Sequence, residues 1–347
     1  MKTYRYFLAG LGNIGRSFLE IVSARERILA ERYDLALKCV GVSDSSGSIT
    51  SPEGVDIPSV IRAKKARLSL ASIRGTHVGA DLVSVYKDLG ESVDMLLDAT
   101  PVNLEGGDPG YTLTKLALSS GFPVVTANKG PLALHFNELA SLSDWTDKRK
   151  PMLRFSATVG GAMPTINVGV YDMPCAHIMR VEAVLNATTQ IILEMMAGGQ
   201  TYETAVQEAQ RLGIAETDPK LDVEGWDAAC KLVIITNTVL RQPCSLADVS
   251  IAGIDGNTAN EARAARVVGE RMSLLATAEW DGSRYRLGVA PTPLSISHSF
   301  GQLTGAEMGV QYESDLYERI TLIARETGPG GSSAAMLRDV INISMGH

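Results

Sequence analysis

Two stretches of this sequence combine residue types and spacing that could do chemistry. The first is Gly10-Leu11-Gly12-Asn13-Ile14-Gly15, a GxGxxG. Glycines at those places permit a tight turn and let the main chain approach a pyrophosphate, whose charge the N–H groups and dipole of a following helix would stabilise. The second is AETDPKLDVEGWDAACK, residues 215–231, with acids at Glu216, Asp222 and Asp227 and a lysine at Lys231. Asp227 and Lys231 stand four apart, so on a helix they share a face. That spacing alone describes a surface ion pair as well as a catalytic one. The company it keeps matters more. A zwitterionic amino acid needs an acid for its ammonium and a cation or N–H groups for its carboxylate. Hydride transfer at an alcohol needs a proton acceptor, and a lysine with a lowered pKa can serve.

The elements around these residues follow from pattern. Residues 4–9 (YRYFLA) read as a short buried strand, and RSFLEIVSARERILAERY (16–33) reads as a helix. Strand, glycine loop and helix in that order is the context a dinucleotide fingerprint requires. A second strand is expected over Leu37–Ser43, ending at Asp44, where a carboxylate can accept hydrogen bonds from the adenosine ribose and repel a 2′-phosphate. The helix between them looks long, because Asp44 lies further from Gly15 than the usual ~20 residues. Ser45, Ser46 and Ser48 could instead accommodate a phosphate, and Asp44 could simply begin a turn. The coenzyme is therefore read as NAD or NADP, with a lean to NAD.

Val93–Pro101 reads as a strand running into a loop, YTLTKLALSSG (111–121) as a helix and Pro123–Thr126 as another strand. Strands alternating with helices imply a parallel, doubly wound α/β sheet with ligands at the carboxyl ends of its strands. Thr100 and Ala127-Asn128-Lys129-Gly130 fall at such ends, which sets Lys129 apart from an ordinary surface lysine. The polar, proline-ended DKRKP (147–151) marks a domain boundary. Beyond it, Gly160 and Gly161 before Pro164 signal either an ion-binding turn or a plain strand-to-helix turn. TYETAVQEAQRLG (201–213) reads as a helix ending at Gly213, and Pro219 and Gly225 break the acidic run into a loop and a further helix.

Composition bounds the remaining possibilities. A chain of 347 residues, 45% hydrophobic and 20% charged, can fill two ordinary globular cores. The net charge of −7 gives no reason to expect nucleic acid as a partner. Cys39, Cys175, Cys230 and Cys244 form no CxxC pair, and the histidines form no HExxH pattern, so neither a disulfide framework nor a zinc site is expected. No apolar run approaches the ~20 residues needed to cross a bilayer, and the N-terminus does not read as a secretory signal. The expectation is a soluble, cytoplasmic protein without a membrane partner.

Seven blocks then carry a family resemblance: GLGNIG (10–15), LLDATP (96–101), VVTANKGPLA (124–133), TVGGAMP (158–164), LNATTQIILEMM (185–196), AETDPKLDVEGWDAACKL (215–232) and GPGGSSAAMLRDVI (328–341). In order and spacing they resemble the homoserine dehydrogenase family. The resemblance implies oxidation of L-homoserine to L-aspartate 4-semialdehyde, or the reverse in threonine, methionine and isoleucine biosynthesis, with NAD or NADP. It implies Lys129 and Lys231 as catalytic lysines, with Asp227 holding Lys231. Glu216, Asp222, Asp227 and Lys129 would bind substrate. Gly10, Gly12, Asn13, Ile14, Gly15, Asp44, Thr100, Lys129 and Gly330 would line the cofactor. The implied architecture is a Rossmann-type domain (1–150) with a C-terminal helix (318–347) returning to it. An α+β substrate and dimerisation domain (151–317) would make a homodimer.

The sequence departs from the family at three places. Ser156 stands where Glu is frequent, at a position associated with a monovalent cation. The carbonyls of Val159, Gly161 and Met163 could still hold such an ion. Ala187 replaces a usual Gly, and Ile214 a common Tyr. With an end at His347, neither a C-terminal regulatory domain nor an aspartate kinase portion is expected. A dehydrogenase of another small amino or hydroxy acid and a non-catalytic NAD(P) sensor are the competing readings.

Overall fold

The first sheet grows outward from β1 (Lys2–Ala9), whose Phe7 and Leu8 are wholly buried. In the computed structural model, which describes residues 1–346, this sheet belongs to one of two compact units: Met1–Ala162 with the segment from Gly328 onward. Around β1 stand β2 (Leu35–Asp44), β3 (Gly47–Thr50), β4 (Met95–Asp98), β5 (Val124–Thr126) and β6 (Leu153–Arg154), in the order β3-β2-β1-β4-β5-β6. Between them run α1 (Asn13–Tyr33), α2 (Ile57–Lys65), α3 (Leu82–Leu89), α4 (Gly110–Ser119) and α5 (Lys129–Ser141). Parallel strands are covered on both faces and so read as unbroken apolar runs; Met95, Leu96 and Leu97 are all fully buried.

The sheet is not wholly parallel. β3 pairs antiparallel with β2, Asp44 facing Gly47 across a tight turn. Two intervening residues can close a hairpin but cannot make the crossover of about a dozen residues that a parallel neighbour needs. The 21-residue length of α1 accounts for the distance between Gly15 and Asp44. The unit also continues past DKRKP, because β6 follows that stretch and pairs in parallel with β5.

The second unit, Met163–Thr327, holds a sheet of order β12-β11-β7-β9-β10-β8. Its strands are β7 (Ile178–Val184), β8 (Val249–Ile251), β9 (Glu270–Trp280), β10 (Tyr285–Ser295), β11 (Glu307–Ser314) and β12 (Glu318–Arg325). All neighbours are antiparallel except β10 and β8. The helices are α6 (Thr165–Asn167), α7 (Ala187–Ala197), α8 (Tyr202–Arg211), α9 (Lys220–Val223), α10 (Trp226–Thr238) and α11 (Gly256–Val267). From Ala228 to Thr238 every residue of α10 is buried except Lys231. A helix apolar nearly all round is a core helix, and Lys231 is the exception that α10 must accommodate.

Residues 318–325, expected within the C-terminal helix, are instead strand β12, paired with β11 from Glu318↔Ser314 to Arg325↔Glu307. The helix that rejoins the first unit is α12 (Gly330–Met345), packed along α1. Within it Asp339 is wholly buried and accepts hydrogen bonds from the Ser156 main-chain N (2.8 Å) and Oγ (2.6 Å). Ser156 thus lacks a carboxylate of its own but holds one supplied by α12.

Burial pushes the Asp339 carboxyl up to about 6, against the opposing pull of the Ser156 bonds and the charges of Arg338 and Arg154. The folded state therefore binds this proton more tightly than the unfolded chain. Its contribution favours folding at low pH and is lost as pH rises through about 6. The stability difference between wild type and Asp339→Asn should accordingly move in favour of wild type as pH is lowered from about 7 to about 5, measured by denaturant unfolding. A difference that stays flat across that range rules out titration of Asp339 there.

Candidate active site

At the glycine loop, each glycine meets a different constraint. Gly10 has φ +93°, and a Cβ there would lie 2.3 Å from the Ala99 carbonyl oxygen. At Gly15 a Cβ would lie 1.9 Å from the carbonyl oxygen of Gly10. These two allow β1, the β4 loop and α1 to converge. Gly12 differs: no atom lies within 4 Å of where its Cβ would be. Open space there, beside a helix N-terminus that no side chain caps, is what a pyrophosphate requires. Gly12 and Asn13 are exposed and Ile14 half-buried. The first turn of α12, beginning at exposed Gly330, is tied to this loop through Ser333 Oγ, which donates to the Ile14 carbonyl at 2.9 Å.

Asp44 ends β2 as expected, but its carboxylate is already engaged. Oδ1 accepts from Ser46 N (2.8 Å) and Ser46 Oγ (2.5 Å), and Oδ2 pairs with Lys64 Nζ at 2.7 Å. Both side chains of the pair are largely shielded, Lys64 18% and Asp44 10% exposed. Burial raises the Asp44 carboxyl, yet Lys64 and Ser46 outweigh it and hold the group below the usual carboxylate range.

The carboxyl ends of β4 and β5 carry a polar network that sequence reasoning missed. Asp98, fully buried, accepts from Thr100 N (2.9 Å), Thr100 Oγ1 (2.6 Å) and Thr126 Oγ1 (3.0 Å). Burial raises its pKa, opposed by these bonds. Asn128 donates to Thr100 Oγ1 (3.0 Å) and the Pro101 carbonyl (3.2 Å), while its Oδ1 accepts from Gly130 N and caps α5. Lys129 thereby becomes the first residue of α5, half-buried beside Thr100's network.

In the second unit Asp222, Asp227 and Lys231 come together around Asn186. Lys231 Nζ donates to Asp227 Oδ2 at 2.6 Å and to the Leu185 carbonyl at 2.5 Å. Asn186 Nδ2 donates to Asp222 Oδ1 (2.6 Å) and Asp227 Oδ2 (2.8 Å), while its Oδ1 accepts from Thr189 N at the start of α7. Lys231 and Asp227 side chains are each 12% exposed, so the surface ion-pair reading does not apply. A shielded pair of this kind is tolerable when further hydrogen bonds offset its lost hydration, and the Leu185 carbonyl does so for Lys231 and the Asn186 amide for Asp227. An Asn preceding a helix was legible as an N-cap; its bridging of two carboxylates from α9 and α10 was not.

Glu216 is not joined to this cluster: it is exposed in the loop between α8 and α9. Of the three carbonyls considered for a cation, that of Met163 accepts from Thr165 N at 2.8 Å. Gly160 and Gly161 both have left-handed φ, +80° and +57°. Among the described residues no group of three His, Cys, Asp or Glu side chains is placed to hold a metal.

A Rossmann-type unit with an open glycine loop, together with a core helix whose ammonium is held by a carboxylate and a main-chain carbonyl, fits a nicotinamide-dependent oxidoreductase. A family model described as homoserine dehydrogenase matches residues 164–341, more than half of the chain. A homoserine dehydrogenase from Methanocaldococcus jannaschii is 32% identical over 337 residues, covering 97% of both chains. An NAD(+)-dependent homoserine dehydrogenase from Pseudomonas canavaninivorans is 32% identical over 346 residues, covering 99% of this chain and 97% of its own. The structure of a hyperthermophilic archaeal homoserine dehydrogenase in complex with NADPH superposes with a TM-score of 0.83, at 25% identity, over 100% of this chain and 99% of that one. The chain belongs to the homoserine dehydrogenase family.

Two outcomes follow from this geometry. Asn186→Ala leaves the Asp222–Asp227 pair without its bridging amide, and should lower kcat by about tenfold in steady-state assays, given the cost of unpairing a shielded polar group; an unchanged kcat would deny it a part in the site. Removing the cation beside Asp44 with Lys64→Ala should raise the ratio of kcat/KM for NAD over NADP, because the carboxylate regains its repulsion of a 2′-phosphate. A constant ratio places the pair outside coenzyme discrimination.

Proposed function

We propose that the chain catalyses the NAD(P)-dependent oxidation of L-homoserine to L-aspartate 4-semialdehyde and its reverse. The observation that carries this reading is the Lys231 ammonium, held on a core helix by Asp227 and the Leu185 carbonyl with Asn186 bridging Asp227 to Asp222. Family membership and the relatives' stated activities support it.

The nicotinamide, when bound, supplies or removes the hydride at C4 of the substrate. The open main chain at Gly12 and the N-terminus of α1 would hold the pyrophosphate, while Thr100 and Lys129 would stand at the nicotinamide end. The part of the protein is then to handle a proton and a charge. An ammonium has three donors, and two of those on Lys231 are spent on Asp227 and Leu185. The third remains for the substrate oxygen. In reduction, negative charge builds on that oxygen and Lys231 stabilises it and delivers a proton, directly or through water. In oxidation the same nitrogen, once deprotonated, accepts the hydroxyl proton. Asp227 fixes the direction of the Nζ. Glu216 and Asp222 are assigned to the substrate ammonium, and Lys129 to the substrate as well as the cofactor.

Both coenzymes are within this reading, because Lys64 offsets the Asp44 charge that would otherwise turn away NADP. A monovalent cation at the Val159, Gly161 and Met163 carbonyls, a homodimer formed through the Met163–Thr327 unit and a cytoplasmic location are part of the same proposal. Among the described residues no helix is long and apolar enough to cross a membrane.

Purified protein should form NADH or NADPH from L-homoserine at alkaline pH, and parallel assays with and without sodium or potassium would report the ion. Lys231→Ala should lose about 10²-fold or more in kcat, the usual cost of a lost general acid. Wild-type protein that binds either coenzyme yet turns over no homoserine defeats the proposal, and a Lys231→Ala variant with near-native kcat removes that residue from the chemistry.

A further inference from the structure

Gln210 is the penultimate residue of α8, half-buried at the start of the loop that carries Glu216. Its Nε2 donates to two successive main-chain carbonyls, Glu216 at 3.3 Å and Thr217 at 3.0 Å. A side-chain amide has two N–H groups, so one goes to each carbonyl.

Gln210 is not needed to finish its own helix. The end of α8 is closed by main-chain bonds, Leu212 N to Glu208 O and Gly213 N to Gln210 O, both 2.9 Å, with Gly213 at φ +70°. The chain then turns back, with Ile214 N and Ala215 N both donating to the Ala209 carbonyl, and Ala215 is buried. Thr188 Oγ1 on α7 also reaches the Ile214 carbonyl at 3.4 Å. Downstream, the loop is secured once Asp222 N and Val223 N donate to the Pro219 carbonyl and Asp222 meets Asn186. Glu216, Thr217 and Asp218 lie exposed between these anchors. Both hydrogen bonds to the carbonyls of Glu216 and Thr217 come from Gln210. The peptide planes on either side of Thr217 are therefore set by one side chain.

We infer that Gln210 is a positioning residue: by holding the Glu216 and Thr217 carbonyls it fixes where the Glu216 carboxylate is presented, and so sets the affinity for the substrate's ammonium. This rests on the assignment of Glu216 to that ammonium. A loop of exposed residues without such a latch samples many orientations, and ordering it at each binding event would weaken substrate binding. The effect belongs to substrate affinity, since Gln210 touches none of the groups around Lys231.

Gln210→Glu keeps the shape and helix preference of the side chain but replaces both donors with acceptors; Gln210→Ala removes it. Each should raise KM for L-homoserine about tenfold, as expected for two lost hydrogen bonds to an exposed loop. In both variants kcat, KM for the coenzyme and Tm should stay near wild type. Hydrogen exchange of residues 214–219 should quicken. Glu216→Gln, measured alongside, separates the two ideas. If it raises KM for homoserine while Gln210→Glu leaves KM and exchange unchanged, the latch is overturned and the role of Glu216 stands. If Glu216→Gln leaves KM unchanged, the assignment fails and the inference falls with it. A Gln210→Glu variant whose Tm and kcat drop together shows Gln210 to be a structural residue of α8, which also overturns the inference.

Discussion

A single ammonium on a core helix sets the terms for the second unit. Lys231 is the one residue between Ala228 and Thr238 of α10 that is not buried outright, and its side chain is still nearly nine-tenths shielded. A charge so placed costs several kcal/mol unless partners replace the lost water. Asp227, one turn earlier, supplies the counter-charge, and Leu185, the residue after β7, supplies its carbonyl. The pairing in turn requires that Asp227 share its oxygen with an N–H rather than face Asp222 unrelieved, and Asn186 provides one to each carboxylate. Because Asn186 also caps α7, the geometry around the ammonium is built into the junction of a strand and three helices. A lysine fixed this way keeps one donor direction for whatever enters the site.

The first unit solves the opposite problem, a buried carboxylate. Asp98 accepts from N–H and O–H groups of Thr100 and Thr126, and burial raises its pKa against the opposing pull of these bonds. What these bonds achieve is alignment: the loops after β4 and β5 are locked to each other through Asp98, Thr100 and Asn128. Gly110 shows how tightly, since a Cβ there would lie 2.5 Å from Asn128 Nδ2 and 2.8 Å from Asp98 Oδ2. The start of α5, and with it Lys129, is thus placed by polar contacts beneath it. Preorganisation of this kind is what a site needs if its groups are to act without rearranging.

The elements were legible where local rules suffice. Strand, glycine loop and helix at residues 2–33 follow from period and glycine spacing, and the helix carrying Asp227 and Lys231 follows from Gly225 and the apolar run after it. What could not be read was burial and distant pairing. The Asp227–Lys231 spacing is the same on a solvated face as in a core, so its meaning depends on α10 being enclosed by β9, β10 and its neighbours. Asp44 was legible as the end of a strand, but its partner Lys64 lies 20 residues on, in helix α2. Ser156 and Asp339 are 183 residues apart. β12 escaped notice because its alternation of exposed and half-buried residues is that of an edge strand, with a weak apolar stripe.

The contrast between the two acidic positions explains why charge alone does not reveal function in this chain. Asp44 and Asp227 both sit beside a lysine at hydrogen-bond distance, 2.7 and 2.6 Å. At Asp44 the turn residue Ser46 closes the other oxygen, leaving a neutral, locally satisfied pair at a strand end. If this carboxylate meets the coenzyme ribose as proposed, it would discriminate against a 2′-phosphate only weakly, because Lys64 offsets its charge. At Asp227 the partner lysine is itself anchored to a main-chain carbonyl, so the pair orients a donor instead of quenching one. Under the proposed assignments the first arrangement would relax selectivity and the second would concentrate reactivity. The difference lies in whether the lysine side chain ends its chain of contacts at the carboxylate or continues through it to the fold.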